Sequence, residues 1–263
     1  MWLNGSYSPD SPLDRGLQFG DGHFTTCLVI DGQPHCWDAH WQRLQCASER
    51  LKLGLPQASE LRHCLAQFPL GVWIAKIIIT RGSGGRGYGL SDKRSCNWYI
   101  TQHSYTAPAE SQVPLKVDIA DIRLGRNPFF AGLKTLNRLE QVMLSAEKTE
   151  RQLDELVVCD SEGYVVECVS SNLFARYGQH WYTPKLDQAG IRGVVRELII
   201  AQQPLGQVSE VAVKPEKLLQ AEQVFLCNSV LGLRPVGQIG EHKLSEVSLP
   251  KAINDWWRVL SVN

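Results

Sequence analysis

The stretch "GLKTLNRLEQV", residues 132–142, decides how this chain reads. Lys134 follows an apolar run, Phe129-Phe130-Ala131-Gly132-Leu133, and stands just before a helix start. Asn137 with Glu140 fits a capping box, and Leu136, Leu139, Met143 and Ala146 recur at helical spacing. A lysine is ordinarily a solvated surface residue. Apolar neighbours and a helix N-terminus both work against an ammonium at this position, so the alternative is an amine held for chemistry.

Upstream, "HFTTCLVIDGQPHCW" predicts strand, Asp31-Gly32 turn, strand. "DAHWQRLQCASERLKLGLP" predicts a helix capped by Asp38, with Leu44, Ala47 and Leu51 on one side and Gly54 and Pro56 at its end. "ASELRHCLAQF" predicts a second helix, and "VWIAKIIITRG" and "CNWYITQHSY" two strands joined by "GSGGRGYGLSDKR". The stretch "TAPAESQVP", residues 106–114, is the candidate linker, which gives domains of residues 1–110 and 111–263. Downstream, strands are expected in "KVDIADIRLG" and "ELVVCDSEGYVVECVSSNLFARY", a short helix in "IRGVVRELIIAQQ", and strand, short helix, strand in "VSEVAVKPEKLLQAEQVFLCNSVLGLRPV". Helices mixed with hairpins predict an α+β (mixed α/β) fold rather than a doubly wound parallel sheet.

The bulk numbers narrow the function. Lys+Arg and Asp+Glu are each 27, so no net positive field is available for nucleic acid. No apolar run is long enough to span a bilayer, and the N-terminus lacks the basic and apolar regions of a signal peptide. The eight cysteines form no C-x-x-C pair, and no metal site is signalled. Free thiols point to a reducing cytoplasm.

Gly82, Gly84 and Gly87 spell G-x-G-x-x-G, but they lead into polar residues and another strand, so a dinucleotide fingerprint is rejected. This loop is either a mobile hairpin connection or a lid carrying Arg81 and Arg86 towards a carboxylate. An unprotonated Lys134 is a nucleophile for carbonyls and a proton carrier, which suits a Schiff base to pyridoxal phosphate (PLP). In "YVVECV" the alternation puts Val165, Glu167 and Val169 on one face. Glu167 is then either on a wet face or buried with a partner such as a protonated pyridine nitrogen. Gly193 opens a helix whose first amides, those of Val194 and Val195, are suited to phosphate, and Arg43 in "HWQRL" could add a charge. A capped helix and an exposed arginine explain these two features equally well.

Taken in order, "AHWQRL", "GLKTLNRLEQV", "VVECVSSNLF", "YTPKLDQAGIRGVVREL" and "FLCNSVLGLRPV" resemble the fold-type-IV PLP enzymes over nearly the whole chain. That group includes branched-chain and D-amino-acid aminotransferases and the aminodeoxychorismate lyases. "LQFGDGHFTT", "TRGSGGRGY" and "RLGRNPFFAGLKTLNRLEQV" look most like the lyases. The resemblance implies a two-domain subunit with PLP in the interdomain cleft, and a homodimer. It implies PLP on Lys134, Glu167 at the pyridine nitrogen, and Arg43, Val194, Val195 and Ser229 at the phosphate. It further implies conversion of 4-amino-4-deoxychorismate to 4-aminobenzoate and pyruvate. Lys134 would move the protons, with Thr25 or Thr26 nearby, and at least one of Arg81, Arg86, Arg123 and Arg126, which flank the expected cleft in sequence, would bind a substrate carboxylate. Glu167-Cys168-Val169 replaces the aminotransferases' typical Glu-Gly-Ser, and Asn228-Ser229 their Gly-Thr, which favours a lyase. The alternatives are a branched-chain or D-amino-acid aminotransferase, or a scaffold that kept the fold without activity.

Overall fold

The computed structural model describes residues 2–3, 6–7, 13–84, 87–90, 96–106 and 113–262. The chain forms two compact units. One is Met1–Tyr105 with Lys134–Asn137, and the other is Thr106–Leu133 with Arg138–Asn263. The segment carrying Lys134 thus belongs to the first unit, although it follows part of the second in sequence. Most of the candidate linker, residues 107–112, lies outside the described residues.

The first unit contains β1 (Trp2–Leu3), β2 (Ser6–Tyr7), α1 (Arg15–Phe19), β3 (Gly22–Ile30), β4 (Gln33–Pro34), α2 (Trp37–Arg50), α3 (Ala58–Leu65), β5 (Val72–Thr80) and β6 (Asn97–Ser104). Four of these strands form an antiparallel sheet in the order β4-β3-β5-β6. Asp31 and Gly32, with φ of 48° and 79°, make the positive-φ turn between β3 and β4 that the Asp-Gly pair predicts. Side chains alternate across a strand. Cys27 and Val29 of β3 and Ala75, Ile77 and Ile79 of β5 therefore share the face that packs on Leu44, Leu61 and Leu65 of α2 and α3. Asp38 does not cap α2. The N-cap is Cys36, in the left-handed region, and Asp38 lies in the first turn.

The second unit contains β7 (Leu115–Ile119), α4 (Leu139–Glu150), β8 (Glu155–Cys159), β9 (Val165–Cys168), β10 (Asn172–Tyr177), β11 (His180–Pro184), α5 (Val194–Gln202), β12 (Val208–Val211), α6 (Pro215–Leu218), β13 (Gln223–Asn228), β14 (Gly232–Ile239), β15 (His242–Lys243) and α7 (Lys251–Val262). Its mixed sheet runs β12-β11-β10-β13-β14-β7-β8-β9, with β15 on β14. The sheet curls, so that Val157, Leu173, Val224, Leu226 and Val236 from four strands meet in one core. Outside, α5 and α7 cover Phe174 and Phe225, and α4 covers Leu156 and Val158 through Leu144. This is the mixed α+β architecture that the sequence predicts.

Two local expectations fail at α4. Its N-cap is Arg138, and the Glu140 carboxylate accepts the Gly125 N–H (2.9 Å) instead of closing a capping box on Asn137. Asn137 donates to the Gly20 carbonyl. Leu139 and Met143 are 75% and 50% exposed, and Leu144 is the buried residue of the helix. Helical spacing reports a stripe, and here the predicted stripe lies on the solvent side.

Candidate active site

In the first unit, residues 134–136 extend the sheet along β3. The Phe24 N–H donates to the Lys134 carbonyl (3.0 Å), the Leu136 N–H donates to Gly22 (3.0 Å), and His23 bridges Thr135 antiparallel. Backbone pairing therefore fixes where the Lys134 side chain starts. That side chain is half-buried, and its Nζ lies 4.7 Å from the centre of the Phe24 ring. An aromatic face attracts a cation without neutralising it.

The two threonines part company. Thr25 shares its face with the helix-covered core, is fully buried, and its Oγ1 lies 2.6 Å from His40 Nδ1. Arg43, half-buried on α2, donates to the same Thr25 oxygen at 3.4 Å. Thr26 lies on the opposite face, with Phe24, and pairs across the ladder with Lys76. The structure thus brings Arg43, Thr25 and His40 together on one side and places Thr26 on the face that Lys134 reaches. His40 is held well below the ordinary imidazole range, first by burial and then by Arg43 and His35.

Arg81 serves the interior. Its guanidinium donates to both Asp21 carboxylate oxygens and to the Leu51 and Lys52 carbonyls. Burial pushes Asp21 up, but hydrogen bonds from Arg81 and Arg15 outweigh it and hold Asp21 below its usual range. The Arg81 donors are thus engaged by four acceptors inside the unit. Arg86 lies outside the described residues.

In the second unit, Glu167 is 4% exposed and its Oε2 accepts the Ile191 N–H at 2.8 Å. The ladder between β8 and β9 shifts register between Val158 and Cys159, a bulge that pairs Val158 with Glu167 but Cys159 with Val165. Strict alternation is therefore broken. Val165 packs with Cys168 in the inner core, and Val166 packs with Val158 outside it. Bulges re-aim side chains in this way next to functional sites. Arg138 is pulled down by burial, with the Glu167 and Glu140 charges opposing.

Asn172, which the sequence reading missed, donates its Nδ2 to the Ile191 carbonyl at 2.9 Å. Glu167 and Asn172 thus clamp one residue of the loop before α5 from both sides. The same loop pairs with Gly132 through Gly132 N–H to Gly190 (2.9 Å) and Arg192 N–H to Gly132 (3.1 Å). Gly193 is the N-cap of α5, without a side-chain cap, and Val194 and Val195 behind it are buried. A Cβ on Gly193 would stand 2.0 Å from Asn172 Oδ1. Ser229 lies within the turn in which Asn228 Oδ1 accepts the N–H groups of Val230 (2.9 Å) and Leu231 (2.6 Å). Arg126 forms ion pairs with Asp160 (3.7 Å) and Glu162, and Arg123 is exposed.

The second unit therefore offers a buried carboxylate and, beyond a clamped loop, a buried helix N-terminus without a side-chain cap. A buried carboxylate calls for a cation or a strong donor, and a helix N-terminus calls for an anion. The pyridinium and phosphate of PLP carry both groups. The donor set fits that cofactor.

The sequence pattern described as "Amino-transferase class IV" matches residues 22–239, and the chain belongs to this family, with the fold-type-IV architecture of PLP-dependent enzymes. Among individual proteins, an aminodeoxychorismate lyase of Vibrio harveyi is 33% identical over 246 residues, 91% of each chain. The crystal structure of 4-amino-4-deoxychorismate lyase from Pseudomonas aeruginosa matches at TM-score 0.83 and 33% identity, over 100% of this chain and 98% of that one. A hypothetical aminotransferase from Mycobacterium tuberculosis, solved in a PLP-bound form, shares the fold at TM-score 0.76 and 17% identity, over 97% and 94% of the two chains.

Proposed function

We propose that this chain is a PLP-dependent lyase that converts 4-amino-4-deoxychorismate to 4-aminobenzoate and pyruvate. The observation that carries the reading is the joint one. A lysine is fixed by backbone pairing to β3 within the family's fold, and the chain is as similar to a solved lyase as to a curated one, 33% identical to each.

Lys134 holds the cofactor, Glu167 keeps its ring nitrogen protonated, and the Val194 and Val195 amides with Ser229 take its phosphate. When bound, PLP supplies a sink for the electron pair left at the amine-bearing carbon. Lys134 Nζ removes the proton from that carbon. The C–O bond to the enolpyruvyl group then breaks, and Nζ returns a proton to the enol carbon that becomes the methyl group of pyruvate. Thr26, on the Phe24 face, is the threonine able to assist. Thr25 acts from behind by orienting Arg43 and His40. Arg43 contributes positive charge towards the phosphate.

Leu139, Val142 and Met143 on α4, with Phe129 and Phe130, are exposed apolar residues of the second unit. A second copy of the chain covers them in a homodimer. The eight cysteines are unpaired, as suits the cytoplasm. No helix among the described residues is long and apolar enough to cross a membrane.

The test is a product assay with no amino-group acceptor. Equal amounts of 4-aminobenzoate and pyruvate should accumulate over many turnovers. Release that stops after about one enzyme equivalent, or faster reaction of an amino acid with 2-oxoglutarate, would replace the lyase with an aminotransferase. Borohydride should fix PLP on Lys134, and an adduct on Lys76 or Lys148 would overturn that assignment.

A further inference from the structure

We propose that Lys76 is a substrate-binding residue whose ammonium takes a carboxylate of the substrate. This rests on the lyase reading above. Lys76 is the single charged residue of β5, "VWIAKIIIT". Its neighbours Ala75 and Ile77 point into the core under α2 and α3, so Lys76 points to the other face. The ladder sets it opposite Thr26 on one side and Thr101 on the other. Its Nζ lies 4.5 Å from the centre of the Phe24 ring, the same ring that Lys134 Nζ approaches to 4.7 Å.

Two ammonium-bearing side chains therefore converge on one aromatic ring. A ring quadrupole returns about 0.5–2 kcal/mol per cation and leaves its charge in place. Among the described residues Lys76 makes no ion pair. Asp21 is engaged by Arg15 and Arg81, and Asp14 by Thr80, Asn97 and Tyr99. Lys76 is thus a positive charge on the sheet face that Lys134 reaches, without an ion pair among the described residues, and such a charge selects an anion. A substrate whose amine meets Lys134 and which carries two carboxylates supplies one. Of the described arginines proposed for this task from sequence, Arg81 and Arg126 are tied to internal acids, and Arg123 is an exposed residue of the second unit. Lys76 fills the resulting gap as a point charge on a flexible stem.

The test compares holoenzyme with Lys76→Met and Lys76→Arg variants. Methionine keeps the apolar stem and removes the charge. Wild-type cofactor absorbance and melting temperature in each variant exclude a folding defect. For Lys76→Met, KM should rise about 10- to 100-fold, as for a lost hydrogen bond to a charged group, while kcat changes much less. Lys76→Arg should recover most of the loss. Calorimetry supplies a readout independent of turnover. Wild-type enzyme should bind 4-aminobenzoate more tightly than 4-aminobenzamide, and Lys76→Met should bind the two equally if Lys76 holds the ring carboxylate. If it holds the carboxylate of the enolpyruvyl arm, pyruvate affinity falls instead. A Lys76→Met enzyme with wild-type KM and unchanged affinity for both products overturns the inference and leaves the lyase reading standing. A wild-type protein that does not consume aminodeoxychorismate overturns both.

Discussion

Replacing Gly193 by alanine tests the loop between Glu167 and α5 more sharply than any charge change. Gly193 has φ −65°, ψ 143°, a conformation alanine adopts freely, so backbone strain is absent. The obstacle is one atom. The new Cβ would lie 2.0 Å from Asn172 Oδ1, where ordinary contact begins near 3.4 Å. Asn172 is buried, and its other amide atom is bonded to the Ile191 carbonyl at 2.9 Å, so it cannot swing away and keep that bond. Overpacking of this kind costs about 1–3 kcal/mol, and the lost hydrogen bond about 0.5–1.5 kcal/mol more. Gly193→Ala should therefore lower unfolding stability by roughly 2–4 kcal/mol in urea titration. Under the proposed roles, displacement of the loop also weakens PLP binding about 10- to 100-fold, the loss of one hydrogen bond to a charged group. Spectroscopic titration of apoenzyme with PLP measures this. The Asn172→Ala background removes the colliding oxygen, so there Gly193→Ala should add little further loss. Gly193→Ala with wild-type stability and PLP affinity, or an equal loss in both backgrounds, would refute the reasoning.

Two further outcomes follow from the same geometry. Glu167→Gln should keep PLP affinity within several-fold but slow turnover, because a neutral amide does not hold a proton on the pyridine nitrogen. Wild-type kcat in this variant would reduce Glu167 to a support for Ile191. His23 is buried against Ser48 Oγ (2.8 Å), and burial lowers its pKa from 6.5 to about 4. The unfolded chain then binds a proton that the folded one refuses, so stability is full above pH 6.5 and falls as pH drops towards 4. The shift corresponds to roughly 3 kcal/mol, and His40 acts in the same direction. Urea titrations at pH 7 and pH 4.5 should show a smaller acid loss for His23→Gln than for wild type, and equal losses would exclude His23 as a source.

The sequence by itself determined the elements and the chemistry that local pattern carries. Alternation marked β3, β5 and β6, and the Asp31-Gly32 pair marked their first turn, because both signals lie within a few residues. Lys134 stood out for the same reason, as a charge wedged between an apolar run and a helix. The same signal was present in Lys76, a lysine inside "WIAKIIIT", but its meaning depends on Phe24, which lies some fifty positions away and meets it only across the ladder. Tertiary structure alone decided the rest. It separated Thr25 from Thr26 by setting α2 against one face of β3. It bulged β9 so that Val165 and Glu167 no longer share a side. It turned Leu139 and Met143 outward, and it bound Arg81 to Asp21. Each of these depends on which distant residue fills the neighbouring space. Side-chain hydrogen bonds and packing are short-ranged in space and indifferent to separation along the chain, so no local pattern encodes them.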